Sequence, residues 1–427
     1  MTKEGSGSLY WSIAVLLEPA AKAGKCFVCA VQKRDFDRHL FWFLEENYNS
    51  GPTINKLLAS QGLCVHHMQV LRDRRVRWQI SFFGELLMDY NRHLAEKAMK
   101  RARSARNAGL TGILRPAPHL GDVFAPKMEC PFCSLLRESE RFVLTALANG
   151  GNEPEFESIW RNVCLPHGLM LAPLLPAEVA SSVANSLRRR LNGVAALPDA
   201  AAFFLGALPR TTRAAFLPSI AAELLADQRV SFKAALMTDT EASALDEVEW
   251  KDCPLCDALQ NDDGAVPEAE TQQYCRPDIA SLIESSSGKA AEQLGRWAGE
   301  AIEQRLAHPS RRRRAKAITT TTCPACRRRS ERIASVLSVL EKAPAKRLGR
   351  LRFCIPHLQL VLDRVSPQAA ALILERERAM FDHLRAELAE FFRKADYRFK
   401  DEPRGSEQTA WMRAADVLAG CWLTDSL

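Results

Sequence analysis

The chain repeats one cysteine pattern four times, and this repeat constrains the fold more than any other feature of the sequence. Each copy opens with a Cys-x-x-Cys pair and continues, after 18 to 34 intervening residues, with a cysteine that has a histidine or an aspartate three positions later. The four sets are Cys26, Cys29, Cys64 and His67; Cys130, Cys133, Cys164 and His167; Cys253, Cys256, Cys275 and Asp278; and Cys323, Cys326, Cys354 and His357. We interpret the four sets as copies of one module. In each copy, the Cys-x-x-Cys pair and the next pair along the chain are predicted to bind the same metal ion.

Each set offers three thiols and one further ligand, the donor set that zinc takes in closed tetrahedral sites. Both pairs of a set are predicted to lie at helix starts, where the positive end of the helix dipole favours thiolate. Residues three apart in a first helical turn share a face, so two such pairs can converge on one ion. A redox dithiol would explain one Cys-x-x-Cys pair but not the Cys-x-x-His pairs.

The pattern predicts zinc as the bound metal. A [4Fe-4S] cluster is the alternative, because cysteine-rich sites with prolines near the ligands also hold clusters. Metal binding by the third set is left open, because Asp278 replaces histidine and the segment between its two pairs is short and polar. In "CVHH" the residue three after Cys64 is His67, so His66 is predicted to lie at the surface or beside the ligands. Cys421, the thirteenth cysteine, is predicted to be a buried apolar residue.

The segments between the pairs carry helical periodicity. In "SLLRESERFVLTALANG" the apolar residues Leu136, Val143 and Leu147 recur at helical spacing, and Asn and Gly end the run. The sequence therefore predicts an all-α protein of tandem metal modules, arranged as two pairs joined by an Ala-rich helical spacer. The predicted boundaries are 1–115 for module 1, 116–175 for module 2, 176–245 for the spacer, 246–315 for the degenerate module 3 and 316–427 for module 4 with C-terminal helices.

Two parts of the chain resemble an uncharacterised bacterial family, one of the numbered domains of unknown function. The opening "KCFVCA…GLCVHHMQVL" is similar to the family's pairing of CPxC with G-x-C-x-x-H in an all-helical chain. The ending "LAEFFRKADYRFKDEPRGSEQTAWMRAADVLAG" is similar to the family's closing segment, with a tryptophan-bearing last helix. The resemblance covers the first two modules and the last one. It implies a helical Cys/His-repeat protein and no assigned activity.

The rest of the sequence narrows the function by exclusion. It contains no 18-residue apolar run, and Glu18 interrupts the N-terminal apolar stretch, which favours an amphipathic helix over a signal peptide and predicts a cytoplasmic protein away from membranes. The net charge of +7 is modest, and runs such as "RRRR" at 311–314 are interpreted as solvated helix faces and linkers. No P-loop, dinucleotide or nucleophile-elbow motif occurs, so a catalytic role is not favoured.

These observations predict a metal-stabilised cytoplasmic scaffold or interaction protein with several Cys3His sites and protein partners. An iron–sulfur protein for electron transfer or redox sensing is the alternative. A nucleic-acid-binding regulator is a weaker one, because no basic motif interleaved with aromatic residues accompanies the arginine runs.

Overall fold

The computed structural model describes residues 25–107, 119–149, 156–194, 200, 202–204, 253–260, 288–306, 324–399 and 401–420. These residues form helices joined by short turns, with no strand among them, so the all-α prediction is confirmed. The predictions for 1–24, Cys275, Asp278, Cys323, Cys421, the linker 308–322 and most of the Ala-rich spacer concern residues outside the described ones, and the side chain of Cys326 is also outside them.

The α-helices are, in chain order, α1 Phe27–Trp42, α2 Gly51–Ala59, α3 Val65–Asp73, α4 Arg77–Asn107, α5 Pro131–Asn149, α6 Glu157–Asn162, α7 Leu165–Leu171, α8 Ala177–Gly193, α9 Pro254–Gln260, α10 Gly288–Leu306, α11 Pro324–Lys342, α12 Ala345–Leu348, α13 Ile355–Leu362, α14 Pro367–Ala395 and α15 Ala410–Ala419. A π-helical turn at Phe43–Asn47 and short 3₁₀ turns at Gly121–Phe124, Ala172–Leu174, Tyr397–Phe399 and Ser406–Thr409 complete the set.

Contacts divide the described residues into two compact units, each built from three stretches of chain. Unit 1 takes its residues from 1–41, 133–220 and 265–328, and unit 2 takes its residues from 42–132, 221–264 and 329–427. Each unit therefore draws on both halves of the sequence. The linear module boundaries predicted above stay a prediction.

In unit 2, the two longest helices pack along one another. Helix α4 has 31 residues and α14 has 29, and their buried faces carry large side chains such as Phe83 and Phe381. At Gly84, α4 lies against both α14 and α15, since a Cβ placed there would be in ordinary van der Waals contact, 3.5 Å from the side chains of Leu388 and Ala414. Burial of each large apolar side chain stabilises the fold by about 2 kcal/mol. This interface stabilises α4 and α14 without help from any cysteine.

In unit 1, helix α8 packs against α6, α7 and α10. Gly168 on α7 faces Leu187 so closely that a Cβ at that position would stand 2.8 Å from the leucine Cδ1. The Arg190 guanidinium donates to the carbonyl oxygens of Asn162 and Val163, both at 2.9 Å, at the end of α6. These contacts fix the turn that leads from α6 into Cys164.

None of the described helices combines the length and the apolar character that crossing a membrane requires.

Candidate metal sites

Every described cysteine pair stands at the start of a helix, as predicted. Cys64, Cys164 and Cys354 are the N-cap residues of α3, α7 and α13, with extended backbone at the cap. The Cys-x-x-Cys pairs open α1, α5 and α9, and in α5 and α9 a proline follows the first cysteine at the first helical position. Proline suits this position because the backbone N–H that it lacks would have had no partner inside the helix. The local geometry of each pair thus follows from its own sequence.

Site A consists of Cys26, Cys29, Cys164 and His167, and all four side chains are buried. The His167 Nδ1 atom lies 3.4 Å from Cys26 Sγ, 3.3 Å from Cys29 Sγ and 3.1 Å from Cys164 Sγ. The Sγ atoms of Cys29 and Cys164 are 3.7 Å apart. The donors therefore surround a common centre.

Site B consists of Cys64, His67, Cys130 and Cys133, whose ligand atoms lie within 4.8 Å of one another. The His67 Nδ1 atom is 3.1 Å from Cys64 Sγ and 3.4 Å from Cys130 Sγ. The His67 ring is oriented by Phe132, whose ring centroid lies 5.3 Å away. Cys64 is partly accessible, whereas the other three ligands are buried.

Site C consists of Cys253, Cys256, Cys354 and His357, all buried. The His357 Nδ1 atom lies 3.2 to 3.4 Å from the three sulfurs. The Cys354 Sγ atom is 3.7 Å from Cys256 Sγ and 3.9 Å from Cys253 Sγ. Sites A and C therefore have nearly the same internal dimensions.

The predicted partnership between consecutive pairs is wrong for the described sites. Cys26 and Cys29 meet the second Cys-x-x-His pair, not Cys64 and His67, and the latter meet the Cys-x-x-Cys pair at 130–133. Site B is thus nested, along the chain, inside the loop that site A closes. The third and fourth predicted sets are corrected in the same way, because Cys253 and Cys256 of the third meet Cys354 and His357 of the fourth. The predicted partners Cys275, Asp278 and Cys323 lie outside the described residues. The physical reason is that the helix starts converge through tertiary packing, to which sequence distance is a poor guide.

The electrostatics of the clusters favour a bound cation. In site A, burial raises the pKa of the Cys26 thiol, but hydrogen bonds from Cys164 and Cys29 and the charge of His167 outweigh burial and hold that pKa well below its usual value. In the same site, hydrogen bonding with Cys164 and Cys26 raises the pKa of Cys29. In site B, burial lowers the pKa of His67, but the Cys64 and Cys130 thiolates reverse this effect and raise it to about 10. Protons held by these groups thus offset the negative charge of the buried thiolates. A bound metal ion would replace those protons.

His66 stands outside the three ligand sets. It is buried, and burial lowers the pKa of its imidazole to about 3, with a further contribution from the charge of His67. The ring is therefore neutral near pH 7. The prediction that His67 rather than its neighbour belongs with the ligands agrees with this arrangement.

A carboxylate that the sequence analysis missed supports site A. The Glu140 Oε1 atom lies 2.9 Å from His167 Nε2, on the side of the ring opposite the sulfurs. A carboxylate in this position fixes the tautomer that presents Nδ1 to a metal and makes that nitrogen more basic. The sequence carried no signal for this contact, because Cys133, seven residues earlier on the same face of α5, belongs to site B.

We expect Glu140→Gln to weaken metal binding at site A by about tenfold, because the amide keeps the shape and loses the charge. A competition titration with a chromophoric chelator measures this affinity. Glu138→Gln is the matched control, since Glu138 lies on the same helix and is exposed. Equal affinity in wild type and Glu140→Gln would assign Glu140 no positioning role.

A second missed carboxylate lies near site C. Glu377 is completely buried on α14 and accepts a 2.8 Å hydrogen bond from the backbone N–H of Phe353, next to Cys354. Burial raises the pKa of its carboxyl to about 8; the Phe353 hydrogen bond opposes this effect and the Cys253 charge adds to it. The sequence signal was an interruption of an apolar stripe, since Glu377 falls between Ile373 and Phe381 at four-residue spacing.

Because the folded-state pKa of Glu377 exceeds the unfolded one, the folded protein holds an extra proton between about pH 4.5 and pH 8. This contribution to stability is fully present below that window and is lost as the pH rises through it. Glu377→Gln, which mimics the neutral form, should therefore lose less stability than wild type between pH 6 and pH 9. Denaturant unfolding at the two pH values measures the difference. Parallel losses in the two proteins would contradict a neutral Glu377.

Comparison of the chain with protein-family models, with curated proteins and with solved structures gives no match. The family resemblance drawn from the motifs therefore stays a prediction.

Proposed function

We propose that this chain is a zinc-stabilised scaffold, in which sites A, B and C each hold one ion and the helices present surfaces to protein partners. The single observation that supports it best is the presence of three separate four-ligand sets of the Cys3His type. One such set could arise from chance packing of thiols. Three sets with the same donors and the same helix-start geometry indicate a common chemical purpose.

The interatomic distances support single zinc ions. A tetrahedral zinc bound at about 2.3 Å by sulfur and about 2.0 Å by nitrogen separates two sulfurs by about 3.8 Å and a sulfur from a nitrogen by about 3.5 Å. The sulfur–sulfur distances of 3.7 to 3.9 Å in sites A and C agree with this geometry. The sulfur–nitrogen distances of 3.1 to 3.4 Å are slightly shorter, as expected of donors that also hydrogen-bond to one another.

The same distances disfavour the iron–sulfur alternative. In a [4Fe-4S] cluster each protein ligand binds a different iron, so ligand atoms stand on opposite sides of an inorganic core. In the three described sites all ligand atoms lie within 4.8 Å of one another, which leaves room for one ion. A mononuclear site is therefore the better interpretation.

A closed site suits a structural role. Catalytic zinc usually keeps one coordination position for water or substrate, whereas each described set already supplies four protein ligands. Among the described residues none of the nine cysteines forms a disulfide, which agrees with a reducing cytoplasm. We accordingly place the protein in the cytoplasm, with its ions stabilising helical surfaces for a protein partner.

Metal analysis of protein purified without air or chelator tests the proposal. We expect at least three zinc ions per chain and no absorption band near about 400 nm, where iron–sulfur clusters absorb. Iron and inorganic sulfide in comparable amounts, with such a band, would replace zinc by the cluster alternative. A content below two ions per chain would reject the metal-stabilised scaffold itself.

A further inference from the structure

A cleft in unit 2, distinct from the three metal sites, is lined by both positively charged and apolar side chains. It has a volume of about 480 Å³ and is lined by the end of α3, the turn into α4 and the start of α15. Arg72, Arg75 and Arg77 are among its lining residues, and so are the apolar side chains of Trp411 and Met412. Pockets of this size hold small organic ligands.

The arginines of the cleft differ in their bonding. Arg72 forms an ion pair with Asp416, which ties α3 to α15. The carboxylate of Asp73, the acidic residue of the lining, accepts a 2.8 Å hydrogen bond from Gln69. Arg75 and Arg77 are exposed, and within the described part of the chain no carboxylate pairs with either guanidinium group. The cleft therefore offers two available cationic forks on a fixed frame.

The backbone holds Arg75 in an unusual conformation. Its φ of 53° lies in the left-handed region, at the position after a helix end where glycine is normally found. The amide of Val76 bonds to the carbonyl of Leu71 at 3.2 Å and closes the turn. An arginine here is less favourable than glycine for folding, because its Cβ approaches the following carbonyl group. The turn thus carries a guanidinium group at a conformational cost, as residues at binding sites often do.

We infer that this cleft binds the diphosphate group of a small phosphorylated molecule. Planar guanidinium groups pair with phosphate oxygens through two parallel hydrogen bonds, and two such groups match the several oxygens of a diphosphate. Trp411 and Met412, which also line the cleft, supply apolar surface for the organic part of such a ligand. This inference is independent of the identity of the metal ions.

Calorimetric titration of the full-length, metal-loaded protein with inorganic pyrophosphate tests the inference. We expect saturable binding that becomes at least about tenfold weaker in Arg75→Gly and in Arg77→Gln, since each variant removes charge-assisted hydrogen bonds. Arg75→Gly should unfold at the same temperature as wild type or a higher one, because glycine relieves the left-handed strain. Arg101→Gln is the matched control, as Arg101 is exposed on α4 and does not line the cleft.

A gain in thermal stability together with a loss of binding in Arg75→Gly would separate the ligand role of Arg75 from a structural one. If wild type shows no saturable pyrophosphate binding, the inference is overturned. It is equally overturned if Arg75→Gly and Arg77→Gln bind as tightly as wild type, or if Arg101→Gln weakens binding as much as they do.

Discussion

Replacing Cys29 and Cys164 together by serine should remove one metal ion from the protein, whereas replacing Cys29 and Cys64 together should remove two. The first pair belongs to site A alone, and the second pair is divided between sites A and B. Serine is a poor zinc ligand compared with thiolate, so one substitution in a set is enough to empty or greatly weaken it. Metal content after gel filtration in a weak chelator measures the difference.

The free energies of unfolding should follow the same pattern. The effects of Cys29→Ser and Cys164→Ser should be far from additive, because the second substitution acts on a site that is already lost. The effects of Cys29→Ser and Cys64→Ser should be closer to additive. The single variants are the controls in both comparisons. The opposite pattern, with Cys29 and Cys64 acting as one unit, would restore the consecutive pairing that the sequence alone suggested.

Removal of all the metal should have the largest effect on stability, and the loss should be uneven along the chain. Structural zinc contributes on the order of 10 kcal/mol in small zinc-dependent domains. Helices α7 and α9 have seven residues each, too few to persist without tertiary contacts. Helices α4 and α14 are long and share an extensive apolar interface. We therefore expect the short helices at the sites to lose their structure while the long pair keeps it.

Hydrogen exchange of the chelated protein measures this selectivity. Amide protection should fall in α7, α9 and α13, which begin at or next to site cysteines, and persist in the middle of α4 and α14. Refilling with zinc should restore it, and protein treated with chelator already saturated with zinc is the control. Equal loss of protection in α14 and α9 would mean that the long helices depend on the metal as much as the short ones do.

The sequence predicted well what depends on local physics. The described cysteine pairs open helices because N-cap geometry, the following apolar run and, in four of the six pairs, a proline act within a few residues. The ligand types and the spacing inside each pair are also local features, which are visible directly in the sequence. Pro131 at the start of α5 is an example, since its position alone indicates where the helix begins.

Which cysteine pairs share a metal site could not be predicted from these local features. Cys29 is 35 residues from Cys64 and 135 from Cys164, yet the entropy of closing the longer loop exceeds that of the shorter one by only about 1 kcal/mol. A few buried contacts outweigh such a difference, so sequence proximity carries little information on which helix starts meet. The order of the pairs is more informative once known. In the nested order, the two outer pairs share one site and the two inner pairs share another. Applied to the second half of the sequence, this order predicts Cys275 and Asp278 as partners of Cys323 and Cys326.

The nested order also has a consequence for biosynthesis. The ribosome makes Cys26 and Cys29 first, yet their partners Cys164 and His167 follow only after the whole of site B has been made. At about 5 to 20 residues per second, the first two thiols wait on the order of ten seconds for the rest of their set. The inner site can therefore fill while the outer one is still incomplete. Assembly would proceed from the inside outwards, and during that interval the earliest thiols depend on the cell to keep them reduced and free of the wrong metal.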